Sequence, residues 1–227
     1  MIGDADALTC RSPNAGERRG DARPDMVIVH YTAMRDARAA RDWLCNPEAQ
    51  VSAHYLIAPD GTCWQMVDEA ARAWHAGVGA WGDVDDINSR SIGIELSNTG
   101  SEPFAAPLMD RLERVLAGIL ERWAIPPDRV LGHSDIALGR TIDPGPRFDW
   151  RRLARQGLAV QPPPATPGQF DADARVAGYR WQPGQEPALL AAIRHRLRPW
   201  ATGPMTDADR AAIAGLARHH PCRDTAP

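Results

Sequence analysis

Alternating apolar and polar residues predict several short strands in the first two thirds of the chain. Residues 26–30 (MVIVH) are an apolar run that ends in a histidine, which is typical of a buried strand reaching the edge of a sheet. Residues 91–96 (SIGIEL) alternate, with the isoleucines and the leucine on one face. Residues 54–67 contain two β-favouring runs around Pro-Asp-Gly and predict a hairpin. Residues 129–133 (RVLGH) predict another short strand that also ends in histidine.

The same region also carries two helical patterns. Residues 36–44 are rich in alanine and arginine, and a longer amphipathic pattern ends before Pro126 and Pro127. The apolar positions of the longer pattern are Leu108, Leu112, Val115, Leu116, Ile119, Leu120 and Trp123. Strands mixed with helices predict the α/β class, with a mixed central β-sheet flanked by helices.

The last third of the chain differs in composition. Residues 161–169 (QPPPATPGQ) are rich in proline, which favours an extended, semi-rigid linker. Residues 170–227 predict a small all-helical C-terminal domain, in which Thr206 is the N-cap of one helix. An apolar stripe in that domain consists of Leu189, Leu190, Ile193 and Leu197. The predicted organisation is an N-terminal arm (1–23), an α/β domain (24–160), the linker and the helical domain.

Composition and charge narrow the function classes. The 227 residues are 44% apolar, enough for a buried core, and the formal net charge of −3 gives no basic field for nucleic acid or a membrane surface. No stretch is long and apolar enough to be a transmembrane segment, and the N-terminus has no apolar signal region, so a cytoplasmic location is expected, or a periplasmic one if the sequence is a piece of a longer protein. A monomer is the favoured oligomeric state. All 26 basic residues are arginine, so lysine chemistry is excluded. The four cysteines (Cys10, Cys45, Cys63 and Cys222) are scattered and predict isolated reduced thiols.

Two strand-end histidines and one aspartate form a candidate metal site. His30 and His133 close apolar runs, and Asp143 follows His133 by ten residues. A catalytic zinc takes three nitrogen or oxygen ligands and keeps one position open for water, which this set would supply. Hydrogen-bonded structural histidines and an Asp-Pro-Gly turn would give the same pattern, so both interpretations stay open. Glu95 is similarly either a general base beside the metal or an exposed residue of an edge strand.

Five ordered motifs resemble zinc N-acetylmuramoyl-L-alanine amidases of type 2, the family that includes AmpD and AmiD. They are HYTA (30–33), SAHYLIAPDG (52–61), RAWHAG (72–77), SIGIELSN (91–98) and GHSDIALGR with DPGPRFDW (132–150). The family is related to phage amidase lysozymes and peptidoglycan recognition proteins, and the resemblance covers roughly residues 12–155. The helical segment also resembles the small peptidoglycan-binding-like domain of AmiD-type enzymes.

The resemblance implies a reaction and a set of ligands. His30, His133 and Asp143 fall on the family's zinc ligands, one Zn²⁺ per chain, and Glu95 falls on its catalytic glutamate. The implied reaction is hydrolysis of the amide between the lactyl group of N-acetylmuramic acid and L-alanine in muropeptides or peptidoglycan. Recycling of cytoplasmic muropeptides is the expected setting. The rival interpretation is a non-catalytic peptidoglycan-binding or sensing protein of the same fold.

Thr141 is a departure from the family pattern. The residue two before the aspartate is usually a lysine in AmpD- and AmiD-like enzymes, where it is thought to stabilise the oxyanion. Some amidase-active peptidoglycan recognition proteins resemble this chain in having threonine there. A neutral hydroxyl donor stabilises an oxyanion less than an ammonium does, so the prediction is a working but slower enzyme with Thr141 as a catalytic residue. Arg140 is either an electrostatic substitute or a surface residue.

Further residues of the matched motifs are candidates for substrate contact. His54 and His75 are assigned to the cleft wall or to positions behind the ligands, with a structural role as the alternative. Trp74 offers an apolar face to substrate or packs in the core. Asn98 is a candidate polar contact in the cleft.

Overall fold

A mixed sheet forms the centre of the fold in a computed structural model, which describes residues 1–222. The strands of this sheet are β1 (Leu8–Thr9), β3 (Met26–Tyr31), β4 (Tyr55–Ile57), β5 (Cys63–Gln65), β7 (Ser91–Leu96) and β8 (Val130–Gly132), and a separate antiparallel pair is formed by β2 (Ala15–Gly16) and β6 (Arg72–Ala73). The helices are α1 (Ala37–Leu44), α2 (Ile87–Arg90), α3 (Ala106–Trp123), α4 (His133–Ile136), α5 (Trp150–Arg155), α6 (Phe170–Ala177), α7 (Glu186–Leu197) and α8 (Asp207–His219). The predicted fold class is confirmed.

The strand order is β1-β5-β4-β7-β3-β8, which puts β3 between β7 and β8. β3 is parallel to both of these neighbours, and β7 is also parallel to β4. Among the strands of this sheet within residues 1–222, only β4 and β5 are antiparallel neighbours, as the predicted hairpin requires. Parallel strands end at the same edge, so residues at the carboxyl ends of β3, β7 and β8 are brought together.

One face of the sheet packs against α3. The alternating isoleucines of β7 and the valines of β3 lie in a buried cluster with the apolar stripe of α3, and Phe148 and Trp150 complete it. This is the long amphipathic helix that the spacing predicts, and it begins at Ala106 and ends at Trp123. Its apolar side chains are removed from water against a continuous apolar strand surface, which is the main driving force for this layer.

The opposite face is covered in two parts. Met26, Ile28 and Leu131 share a buried cluster with the C-terminal helices α6, α7 and α8 and with Tyr179, which follows α6. Leu56, Trp64 and Met66, together with Ala40 and Leu44 of α1, form a smaller cluster toward the other edge of the sheet. The side chains of His30 and Glu95 belong to neither cluster, so the polar residues of this face lie outside both apolar layers.

Two local predictions need correction. The N-terminal arm is extended, but β1 pairs with β5 and adds a strand to the edge of the sheet instead of lying apart from it. The strand predicted at 129–133 ends at Gly132, and His133 is the first residue of α4. The turn into α4 therefore sets the direction of the His133 side chain. This turn is stabilised by a hydrogen bond of 2.8 Å from the Gly132 N–H to the Asp135 carboxylate. Positions 223–227 of the predicted helical domain lie outside the described residues.

A buried polar group joins α4 to the C-terminal helices. The Asp135 carboxylate accepts hydrogen bonds from the Tyr179 hydroxyl (2.8 Å) and from Arg196 Nη1 (3.1 Å). All three residues are at most 3% exposed, so the charges of Asp135 and Arg196 are buried as a pair. Losing one partner of such a pair leaves an uncompensated charge, and the C-terminal helices are therefore tied to the turn that carries His133.

The part of the chain that the structure describes has no helix that combines the length and the apolar character needed to cross a bilayer.

Candidate metal centre and active site

Strand register brings the two candidate catalytic side chains together. His30 is directly opposite Glu95 in the parallel pair of β3 and β7, so both side chains leave the sheet on the same face. On the other side of β3, Val29 is opposite Gly132, the residue before His133. The Asp143 carbonyl accepts a hydrogen bond of 2.8 Å from the Ser134 N–H, which holds the loop after α4 over the same edge.

His30, His133 and Asp143 converge as a candidate metal site. All three are buried, and one ligand atom from each lies within 4.8 Å of the others. Asp143 Oδ2 is 3.0 Å from His30 Nδ1 and 3.2 Å from His133 Nδ1. Ligands of a tetrahedral zinc at about 2.0–2.1 Å lie about 3.3 Å apart, so these separations are those of a ligand set.

The outer ring nitrogens of both histidines also have the partners that metal ligands need. His133 Nε2 lies 3.0 Å from the Ala76 carbonyl oxygen, and His30 Nε2 lies 3.0 Å from His75 Nδ1. Such partners fix the tautomer and leave Nδ1 free to bind a cation. Two imidazoles and one carboxylate are also a donor set that suits zinc. The residues therefore fit a divalent metal.

A chain of hydrogen bonds extends from His30 into the protein. With a proton on His30 Nε2, His75 Nδ1 accepts it, and the second ring nitrogen of His75 donates to the Ser91 hydroxyl at 3.1 Å. Ser91 in turn donates to the Ile87 carbonyl at 2.6 Å. Each donor in this chain meets one acceptor, so a single tautomer is favoured for both imidazoles.

Burial keeps these imidazoles neutral at physiological pH. It lowers the pKa of His30 to about 4, with a further contribution from neighbouring His133. Burial likewise lowers the pKa of His75 well below its usual value. Burial alone would raise the pKa of Asp143, but its interactions with His133 and His30 outweigh burial and hold that pKa well below its usual range. Neutral imidazoles beside an ionised carboxylate are the protonation states that a bound cation requires.

Glu95 has an unusual environment for a carboxyl group. Its Oε2 is buried without a hydrogen-bond partner within residues 1–222. Burial, followed by the charge of Asp143, raises the pKa of Glu95 to about 8. Glu95 lines a cavity of about 180 Å³ together with His75, Trp74, Trp43 and Val51. A desolvated carboxyl group with an unused oxygen, facing a cavity beside a metal site, is suited to proton transfer.

Thr141 lies beside the ligand carboxylate. Its hydroxyl donates a short hydrogen bond to Asp143 Oδ1, the oxygen that does not face the histidines. A hydroxyl has one proton, and here that proton orients Asp143, so it is not available to an oxyanion at the same time. The role predicted for Thr141 in oxyanion stabilisation stays a prediction.

Arg140 is exposed but close to the site. Its Nη2 donates to the carbonyl oxygens of Ala76 and Val78 (2.9 Å for Val78) and lies 3.0 Å from His133 Nε2. Of the two roles left open, electrostatic substitute or surface residue, this position is compatible with the first because the guanidinium reaches the ligand His133. The charge is fixed, since arginine does not lose its proton in proteins.

The structure gives two of the candidate contact residues internal partners. His54 is fully buried; its Nδ1 accepts from the Gly93 N–H (2.9 Å), and its Nε2 lies 3.2 Å from the Ala71 carbonyl. Asn98 is 5% exposed, and its amide bonds the backbone of the loop that follows β7. Both residues therefore shape the backbone around the site. Trp74 and His75 line the cavity that holds Glu95, and the substrate contacts predicted for them stay predictions.

Gly93 belongs to the site, although the sequence analysis does not identify it as a site residue. A Cβ at this position would lie 2.4 Å from His75 Cγ, so the missing side chain makes room for the imidazole over the sheet. A glycine in the middle of an otherwise β-branched strand is the signal that another group approaches closely. Ser91 and Asn88, which support His75 through its ring and its backbone N–H, carry no such signal in the sequence.

A Gly93→Ala variant is expected to displace His75 and so to release His30. Because the added methyl group would overlap the imidazole, we expect stability to fall by about 1–3 kcal/mol. Loss of the His30 partner should reduce metal affinity and turnover by about 10–100-fold. Thermal unfolding and metal titration measure the two effects. Gly16→Ala is the matched control, since a Cβ at Gly16 in β2 meets nothing within 4 Å. Equal behaviour of the two variants would contradict the role of Gly93.

Comparisons with known proteins agree with this geometry. A family model described as N-acetylmuramoyl-L-alanine amidase matches residues 20–146. AmiD of Escherichia coli (strain K12) is 32% identical over 228 residues, covering 85% of this chain and 81% of AmiD. The 1,6-anhydro-N-acetylmuramyl-L-alanine amidase AmpD of Haemophilus influenzae is 40% identical over 165 residues, covering 65% of this chain and 90% of AmpD.

Two solved structures extend the likeness to the C-terminal helices. Escherichia coli AmiD in complex with the substrate anhydro-N-acetylmuramic acid-L-Ala-D-γ-Glu-L-Lys superposes with a TM-score of 0.79 at 29% identity, covering 93% of each chain. AmpDh3 from Pseudomonas aeruginosa, in complex with an anhydromuramic pentapeptide, gives a TM-score of 0.79 at 28% identity and covers 98% of this chain and 100% of its own.

Proposed function

Since this chain belongs to the N-acetylmuramoyl-L-alanine amidase family, we propose that it hydrolyses the amide between N-acetylmuramic acid and L-alanine of muropeptides with zinc held by His30, His133 and Asp143. The observation that carries this proposal is the convergence of the three ligand atoms, with the cavity-lining Glu95 opposite His30 in the strand register. The related enzymes act on anhydro-muropeptides by name, which favours soluble cell-wall fragments as the substrate class. Cell-wall turnover or recycling is the process that such a reaction serves.

The three ligands and the metal ion would have different roles in the reaction. His30 and His133 bind through Nδ1, while their outer nitrogens are held by His75 and Ala76. A zinc ion at these ligands supplies Lewis acidity toward the scissile carbonyl and toward an attacking water. Asp143 supplies the one negative charge of the ligand set.

Glu95 is proposed as the general base and then the general acid. Its unpaired Oε2 faces the cavity and accepts the proton of the water as the new carbon–oxygen bond forms. The same carboxyl group then donates this proton to the amide nitrogen, so that L-alanine leaves as an amine. The raised pKa of Glu95 suits a group that must both accept and return a proton.

Thr141 is proposed as a positioning residue for Asp143. In Thr141→Val the hydrogen bond to Asp143 Oδ1 is lost at nearly constant side-chain volume, so metal affinity should fall about 10–100-fold with a parallel loss of turnover at limiting metal. Thr141→Ser is the matched control and should retain both. A competitive chelator titration measures the affinity. If Thr141→Val kept its metal affinity and lost only kcat, the hydroxyl would instead serve the oxyanion.

The experiment that tests the function is a digest of purified anhydro-muropeptide followed by mass spectrometry. The protein is assayed as isolated, after chelation and after zinc is restored. Release of free stem peptide that stops on chelation and returns with zinc is the expected result. Bound but intact muropeptide, from folded protein loaded with zinc, would favour the non-catalytic binding protein.

We propose that the α/β region 24–160 carries the chemistry and that the helical region beginning at 170 works as part of the same unit. The shared buried cluster and the Asp135–Tyr179–Arg196 group support this, because both cross the boundary at 161–169. A monomer is the proposed state in solution, to be measured by light scattering.

A further inference from the structure

A groove separate from the Glu95 cavity runs between the two regions of the chain. It has a volume of about 790 Å³ and is lined on one side by residues 78–80 and 136–138. The other side is lined by residues of the C-terminal segment between 175 and 185. Arg140 also lines this groove, and its guanidinium contacts His133, so the groove begins beside the candidate metal ligand.

The groove is basic. Arg140, Arg175 and Arg180 line it, whereas Asp85 is the one acidic residue of the lining and is paired with Arg180 at 2.5 Å. The Arg175 guanidinium lies 4.2 Å from the centroid of the Trp181 ring, which fixes its position without neutralising it. Within residues 1–222, neither Arg140 nor Arg175 has a carboxylate within salt-bridge distance. Two positive charges therefore remain available to a ligand.

The groove and the cavity that holds Glu95 differ in chemistry. The cavity that holds Glu95 is lined by Trp43, Trp74, Met34 and Val51 and contains no arginine. A muropeptide differs in the same way on the two sides of the scissile amide. The sugar ring is neutral with apolar faces, while a stem peptide of L-Ala-D-γ-Glu-L-Lys carries two carboxylates, the α-carboxylate left free by the γ linkage and the C-terminus. Charged hydrogen bonds to carboxylates are the interactions that arginine makes best.

We propose that the groove lined by Arg140, Arg175 and Arg180 binds the carboxylates of the stem peptide and that the C-terminal helical region thereby sets substrate specificity. This inference rests on the proposed amidase function. Arg175 is the specificity-determining residue because it belongs to the C-terminal region and is not paired with a carboxylate, whereas Arg180 is held by Asp85. The region thus contributes side chains to the substrate site in addition to packing on the sheet.

The test compares two synthetic anhydromuramoyl tripeptides, one with both carboxylates free and one with both converted to amides. Arg175→Gln should raise KM about tenfold for the free acid with kcat unchanged, and it should leave KM for the diamide as in the wild type, since one charged hydrogen bond is worth roughly 1.4 kcal/mol or a factor of ten. Arg175→Lys should be intermediate. Arg155→Gln, an exposed arginine outside the groove, is the matched control.

The outcomes separate the two proposals. The proposal for the groove would be overturned if Arg175→Gln and Arg180→Gln both had the wild-type KM for the free acid. The proposed amidase function would still stand. If the wild type cleaves neither substrate, calorimetric binding of the free tripeptide still decides the groove. Arg175→Gln should then weaken binding of the free tripeptide about tenfold, and Arg155→Gln should leave it unchanged. Binding that is equally strong in Arg175→Gln and the wild type would overturn the proposal for the groove.

A second inference rests on two cysteines that the sequence predicts to be isolated. Cys10 Sγ and Cys45 Sγ lie 3.6 Å apart, and both residues are half-buried. Cys10 follows β1, and Cys45 is the C-cap of α1, which contributes Ala40, Trp43 and Leu44 to the cavity that holds Glu95. A disulfide has a sulfur–sulfur bond of about 2.05 Å, so a small side-chain rotation closes the gap.

We propose that Cys10 and Cys45 form a disulfide that clamps the N-terminal segment to α1 when the protein meets an oxidised low-molecular-weight thiol such as glutathione disulfide. Burial raises the pKa of the Cys45 thiol to about 12, so Cys10 attacks first. The Cys10 thiolate displaces one thiolate from the oxidant and forms a mixed disulfide. Cys45 then loses its proton, attacks Cys10 Sγ and releases the second thiol, so two protein thiols are oxidised and one disulfide is reduced.

Incubation of the native protein with glutathione disulfide tests this. Peptide mapping should find Cys10 joined to Cys45, with a rise in Tm on the order of 10 °C that dithiothreitol reverses. Cys10→Ser and Cys45→Ser should show no rise, and Cys63→Ser, at a buried cysteine that is not part of the pair, should show it fully. A stable mixed disulfide on Cys10, or a bridge to another cysteine, would overturn the proposal.

Discussion

A Glu95→Gln variant is expected to lose about 10²–10⁴-fold in kcat while it keeps its metal and its affinity for muropeptide. Glutamine has the size of glutamate but has no basic oxygen, so it accepts no proton from the attacking water and returns none to the amide nitrogen. The exchange removes a group whose Oε2 is buried and unpaired, so the folded state loses no hydrogen bond from that oxygen. We therefore expect the unfolding free energy to be unchanged or slightly higher.

Three measurements on the same preparation separate chemistry from structure. Turnover is followed by release of stem peptide, metal content by elemental analysis, and binding by calorimetry. Glu121→Gln is the matched control, because Glu121 is an exposed glutamate of α3 whose side chain has no part in the site. Retention of more than a tenth of wild-type kcat by Glu95→Gln would rule out Glu95 as the proton carrier. Loss of metal would instead identify it as a ligand.

The convergence of His30 and His133 could be predicted from the sequence because both histidines follow apolar runs, whereas the choice of His30, His133 and Asp143 as metal ligands rests on the family resemblance and stays a prediction. His30 ends an apolar strand, and parallel strands end at one edge of a sheet, so a histidine at the end of a second such run is brought near the first. Glu95 could be placed on the site face for the same reason, since alternation puts it opposite the isoleucines of β7. Periodicity therefore determines both the fold class and the side of the sheet that carries chemistry.

Other parts of the site depend on contacts that no periodicity encodes. His75 lies in a segment without regular structure before α2, and its position over the sheet depends on the missing side chain of Gly93. The same holds for Cys10 and Cys45, whose approach follows from the pairing of the two-residue strand β1 with β5. A strand of that length has too few residues for an alternating pattern to be recognised. The sequence predicts the helical region, but not its packing on Met26 and Ile28. An apolar stripe shows which side of a helix is buried and does not show which surface it packs against.

Replacing Asp143 by alanine is expected to abolish both metal binding and turnover. The change removes the charged member of the ligand set, whose Oδ2 lies 3.0 Å from His30 Nδ1 and 3.2 Å from His133 Nδ1. With the metal lost, kcat should fall by roughly 10³-fold or more, since metal-ion catalysis supplies several kcal/mol of transition-state stabilisation and each 1.36 kcal/mol is a factor of ten. Zinc added to the variant should restore little of this loss.

Chelation of the wild type should reproduce the loss, and zinc should reverse it there because the three ligands are intact. The metal also binds only the folded chain, so Tm should rise with zinc in the wild type and not in Asp143→Ala. Asp149→Ala is the matched control: Asp149 caps α5 outside the ligand set, and its loss should lower stability by about 1 kcal/mol while zinc still raises Tm. Zinc-dependent turnover by Asp143→Ala at the wild-type rate would mean that another residue completes the site. His30 and His133, held by His75 and Ala76, would then bind the metal together with a ligand other than Asp143.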